Sequence, residues 1–103
     1  MARDKFQILT EQMFYILMCL FEERNGAEIA ETVKNLSDGR VLLSVSTLYT
    51  ILGDFEKGHL IKETKVEGRK RSYLITEAGK KRLYAEVKRM ETQLADYDKA
   101  TKE

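Results

Sequence analysis

The chain has 103 residues, 43% of them apolar and 34% charged, and a formal net charge of +1. That length holds one hydrophobic core and leaves no room for a second, and so large a charged fraction argues against a membrane protein. The longest apolar run, Met13 to Phe21, falls short of the roughly 20 residues that span a bilayer, and with no export leader at the start the expected setting is cytoplasmic.

The small net charge conceals a segregation. Between Lys57 and Arg89 there are eleven lysines and arginines against four acids, a surplus of seven positive charges, while the rest carries seven bases against thirteen acids. A basic segment of this kind is the footprint of a polyanion partner, the competing reading being a plain solvated surface.

Thr10 is a good N-cap, followed by Glu11 and then by Met13, Phe14, Ile16, Leu17, Leu20 and Phe21. These wrap most of the way round a helix, so it must be covered on two sides. One side is the domain's own core; the other suggests a partner subunit, with Phe14 and Leu17 as the contact residues. Cys19, the single cysteine, lies inside this run and reads as a buried core thiol. Asn25 and Glu28 form a capping-box pattern for a second helix, whose stripe is Ile29, Ala30, Val33 and Leu36, and Ser37-Asp38-Gly39 ends it. Val41-Leu42-Leu43 is a candidate for a short extra strand.

Leu48, Ile51, Leu52 and Phe55 lie at i, i+3, i+4 and i+7, the buried stripe of a third helix capped by Ser44 or Ser46 and closed by Gly58. Gly53 in its middle belongs on the exposed side. Two strands follow, Leu60 to Val66 and Arg69 to Ile75, as a hairpin around Glu67-Gly68. Its tip and second strand carry Lys65, Arg69, Lys70 and Arg71. Thr76-Glu77 opens a last helix reaching about Tyr97, in which Leu83, Val87, Met90, Leu94 and Tyr97 are spaced 4, 3, 4, 3. That heptad seam has nothing left in the chain to pack against, and contact between two copies covers it.

The expected fold is therefore mostly α with a small β hairpin: a winged helix-turn-helix over residues 1–76, then a C-terminal dimerisation helix over 77–103. In this arrangement the third helix enters the major groove of DNA and the wing touches the backbone. Subtracting the buried stripe leaves Thr47, Tyr49, Thr50 and Asp54 on the other side of that helix, with Ser46 at its start. Hydroxyls can bond phosphates or base edges, and a threonine methyl can pack on a thymine methyl. The expected DNA-binding residues are Ser46, Thr47, Tyr49, Thr50, Lys65, Arg69, Lys70 and Arg71.

The sequence resembles the PadR family of transcriptional regulators, small bacterial winged-helix repressors. The matching stretches are "LTEQMFYILMCLFE", "GAEIAETVKNL", "STLYTILGDFEKGHLI" and "EGRKRSYLITEAGKKRL", which cover most of residues 9–83. The resemblance implies a homodimer built from the first and last helices, operator binding by Thr47, Tyr49 and their neighbours, and release when a ligand binds. It is to the short members, some of which take flat hydrophobic compounds at the dimer interface. Two departures stand out. Val45-Ser46 replaces the Pro-Gly pair common before the Thr-Leu-Tyr triplet, and the chain has no tryptophan. Phe14, Tyr15, Met90 and Tyr97 would line a smaller pocket for a hydrophobic effector, or else form plain interface core.

An enzyme is not expected. The only histidine, His59, has no acid or nucleophile at a readable spacing, and one cysteine with one histidine is too few for a metal site. No cofactor is implied. The main rival is a winged-helix module that contacts proteins and never reads DNA.

Overall fold

A computed structural model describes residues 8–102. The described residues form four helices and a three-stranded antiparallel sheet: α1 (Glu11–Cys19), β1 (Arg24–Asn25), α2 (Gly26–Leu36), α3 (Val45–Lys57), β2 (Ile61–Glu67), β3 (Lys70–Ile75) and α4 (Glu77–Thr101). Residues 1–7 of the expected 1–76 unit, where the absence of a leader was read, and residue 103 lie outside the described residues. No described helix is long and apolar enough to cross a membrane.

Each helix begins where a short polar side chain can accept from otherwise unpaired N–H groups. Thr10 Oγ1 accepts from Met13 N at 3.2 Å, and the box is closed by the Met13 sulfur, 3.4 Å from Thr10 N. Asn25 and Glu28 exchange side-chain and backbone bonds at 3.0 and 2.9 Å. Ser44, not Ser46, caps α3, accepting from Thr47 N at 3.0 Å.

Gly58 closes α3, as expected. Gly58 is the C-cap with φ −86°, and the left-handed residue is His59, at φ 61°. A non-glycine side chain in that region costs about 1–2 kcal/mol. The neighbouring bonds hold it there: Leu60 N donates to Phe55 O at 2.9 Å, and Thr76 Oγ1 donates to His59 O at 2.7 Å. His59 thus forms the turn between α3 and the hairpin.

The third strand is also not where the sequence suggested. Val41-Leu42-Leu43 forms no strand, because Val41 N donates to Ser37 Oγ at 2.9 Å and so closes the loop after α2 locally. The strand is Arg24–Asn25, which pairs with β3 through Arg24↔Tyr73 and Asn25↔Ser72, giving the order β1-β3-β2. Arg24 Nε donates to Cys19 O at 2.8 Å, and Ile75 N to Leu20 O at 2.8 Å, so the chain leaving α1 is laid along the edge of β3.

The core gathers Ile16, Leu17 and Leu20 of the α1 region, Ile29 and Val33 of α2, the four-residue stripe of α3, and Ile61, Tyr73 and Ile75 of the hairpin. Burial of each large side chain contributes about 1.5–3 kcal/mol before the entropy of ordering is subtracted. Two residues assigned to a subunit interface belong to this core instead. Leu17 is 0% exposed and Leu83 is 6% exposed within a single chain, so neither side chain is left to offer a partner. Helix α4 docks through its first turns, where Gly79, Leu83 and Glu86 are buried. A Cβ at Gly79 would lie 2.1 Å from the Leu60 carbonyl oxygen, so the glycine permits that close docking. From Met90 onward every described residue of α4 is exposed.

Candidate nucleic-acid interface

Helix α3 turns Leu48, Ile51, Leu52 and Phe55 inward and leaves Ser46, Thr50 and Lys57 facing out, with Gly53 between them on the same side. Ser46 and Thr50 are exposed, as expected. Thr47 is half-buried and its hydroxyl accepts from Ser44 Oγ at 2.9 Å, which braces the first turn. Its proton is still available to a ligand. Tyr49 is 45% exposed but leans back over the start of α2: a Cβ at Gly26 would lie 2.3 Å from the Tyr49 hydroxyl oxygen. Gly26 is thus the seat of Tyr49, and its missing side chain lets the two helices of the pair approach. Spacing alone did not reveal this partner, because the contact joins different helices.

Beside Tyr49 stands Val45, 74% exposed in the first turn. An apolar side chain left in water there has no acceptor or donor to offer, only methyl groups. It stands where the sequence departs from the Pro-Gly pattern.

The hairpin divides its charge between two faces. The pairs Lys65↔Ser72 and Glu67↔Lys70 put Lys65 and Lys70 on one face, while Val66↔Arg71 puts Arg71 on the other. Arg69 shares the two-residue turn with Gly68, whose φ is 63°. Arg71 Nη1 lies 2.9 Å from Glu63 Oε2, and this hydrogen-bonded carboxylate raises the Arg71 pKa above its ordinary value. Lys65 sits 4.0 Å from Glu67, a loose pair. Among the described residues Arg69 and Lys70 have no ion pair. The four basic residues taken together in the sequence therefore differ in how far their charge is already answered. A bulge at Thr64, whose hydroxyl donates to Glu23, ties the hairpin's outer strand to the segment before β1.

The residues expected at a subunit contact separate in the same way. Val87 is half-buried, and Met90, Leu94 and Tyr97 are 39%, 62% and 64% exposed along α4. Phe14, also half-buried, packs edge-on against Tyr15 at 5.9 Å. A cleft of about 320 Å³ between α1 and α4 is lined by Phe14, Tyr15 and Met90, with Glu86 and Arg89 at its polar end. Tyr97, the fourth residue expected there, is not in its lining. Arg40 donates to the Tyr15 hydroxyl at 3.1 Å and pairs with Glu11, which fixes the mouth.

Burial pushes the Cys19 thiol up to about 12, so it carries no thiolate at neutral pH. Among the described residues no group of three or more His, Cys, Asp or Glu side chains is placed to hold a metal ion.

Residues 16–85 match the family model for the Transcriptional regulator PadR-like family, and the chain belongs to that family. Its members are transcriptional regulators. Similar solved structures include a transcriptional regulator from Clostridium thermocellum, at TM-score 0.75 and 26% identity over 87% of this chain and 92% of that one. A PadR-like regulator from Bacillus cereus superposes at TM-score 0.70, with 22% identity over 88% and 91% of the two chains. Bacillus subtilis PadR in complex with operator DNA superposes at TM-score 0.62, with 23% identity over 71% of this chain and 44% of that one. No match was found among curated proteins.

Proposed function

We propose that this chain is a cytoplasmic, sequence-specific DNA-binding repressor that acts as a homodimer on a palindromic operator. The observation that carries the reading is the outward face of α3, polar from Ser46 through Thr50 to Lys57, set beside a hairpin whose Arg69 and Lys70 have no ion pair among the described residues. Residues 8–76 would hold the duplex, with Ser46, Thr47, Tyr49 and Thr50 near the bases or phosphates and Lys65, Arg69, Lys70 and Arg71 on the backbone. That the related PadR binds operator DNA supports the same use of the fold here. Residues 77–102 would dimerise. Met90, Leu94 and Tyr97 stay exposed at helical spacing, and a second copy would cover them together with Phe14 and Val87. The cleft at Phe14, Tyr15 and Met90 suits a small, mostly apolar effector whose binding would alter the angle between two such subunits.

Enrichment of bound sequences from a random duplex library tests this reading. The expected product is a site with two-fold symmetry, because a dimer with one recognition helix per subunit reads two half-sites. A library from which nothing is enriched would remove operator reading and favour a winged-helix module that contacts proteins.

A further inference from the structure

Three glycines of the described residues lie within helices, and two have an internal reason. Gly26 makes room for the Tyr49 hydroxyl and Gly79 for the Leu60 carbonyl. Gly53 has none. It lies in the middle of α3, its φ is outside the left-handed region, and a Cβ built there meets no neighbouring heavy atom within 4 Å. Alanine would fit the free protein, and the helix would gain from it, since glycine is the poorest helix former after proline. The fold alone therefore gives no account of the glycine.

Its position does. Gly53 follows Thr50 by three residues and precedes Lys57 by four, so it shares the outward face of α3 with Ser46, Thr50 and Lys57. We propose that Gly53 is a DNA-contact position, where the missing side chain lets a sugar–phosphate strand of the major-groove wall run against the α3 backbone. This rests on the operator-binding reading above and adds to it a residue whose role is close approach rather than charge or hydrogen bonding. The partner's chemistry follows from the neighbours on the helix: Thr50 one turn before offers a hydroxyl and the exposed Lys57 one turn after a cation, while Glu56 beside it is half-buried, and hydroxyl with cation suits a polyanionic strand. Depth would then be set by Gly53, and the reach of Ser46 and Thr50 toward base edges would depend on it.

The test uses Gly53→Ala and Gly53→Gln in the full chain, with thermal unfolding of the DNA-free protein and titration of the enriched duplex. Both variants should melt higher than the parent, the alanine by about 4–8 °C. Both should bind the duplex more weakly, by about ten-fold for alanine and more for the larger glutamine. Opposite movement of stability and affinity separates a contact from a structural role. An alanine variant that binds as tightly as the parent overturns the proposal, as does one that loses stability and affinity together. If the parent itself enriches no duplex, the operator-binding reading fails and this inference with it; if only the variants behave as the parent does, the failure is Gly53's alone.

Discussion

A carboxylate that is 2% exposed needs replacements for its lost hydration, and Glu86 is answered in part by its own helix: Arg89 donates a hydrogen bond to Oε2, and Arg82 lies 3.6 Å from Oε1, which has no hydrogen-bond partner among the described residues. The Arg89 hydrogen bond, outweighing burial, holds its carboxyl below the ordinary glutamate value. Because the folded form binds the proton less readily than the unfolded chain, this contribution is complete above the ordinary glutamate range. It fades as the pH falls and is gone below the depressed folded value. Glu86→Gln should be less stable than the parent at neutral pH, by about 1–2 kcal/mol for the lost charge-assisted hydrogen bond with a partly exposed partner, and the gap to the parent should narrow as the solution is acidified. Unfolding curves that keep the same separation from neutral pH to acid would show that Glu86 is not the linked group. The same residue closes one end of the α1–α4 cleft, so its loss would also loosen the side of the molecule assigned to dimer contact and effector.

Elements with a regular pattern were legible before the structure. The capping residues Thr10 and Asn25, the stripe of α3 and the two hairpin strands all follow from spacing and end chemistry. What periodicity cannot state is which surface a buried face meets, and so Leu17 and Leu83 went to a partner subunit when the domain's own core takes both. Strand β1 had no readable signal, being two polar residues made a strand by the edge of β3. The hairpin charges were legible as charges and not as pairs, since the register that places Glu63 beside Arg71 includes a bulge at Thr64. From that pair comes a prediction for the wing. Glu63→Gln releases Arg71 and removes a negative charge, so it should tighten DNA binding and steepen its salt dependence by up to about one phosphate's worth of slope. Salt titrations of parent and variant decide it, and parallel lines of equal affinity would mean that Arg71 does not face the duplex.

At the scale of the whole molecule, the domain of α1 to β3 is closed around one core, and α4 leaves it after Met90 as an exposed arm in a molecule 58 Å long. A lone copy would expose Leu94 and Tyr97 to water and offer one recognition helix. Two copies joined along α4 bury the arm and present two such helices, whose weak individual contacts then act together. The basic segment from Lys57 to Arg89 would lie on both subunits of that assembly. The most direct measurement is titration of the enriched duplex at two salt concentrations by the parent and by a variant with Arg69, Lys70 and Arg71 changed to alanine. Affinity of the parent should fall by about ten-fold or more between 50 and 200 mM salt, and the variant should bind more weakly with a shallower slope. Equal affinity and equal slope in the two proteins would contradict the assignment of the hairpin and α3 to a DNA interface.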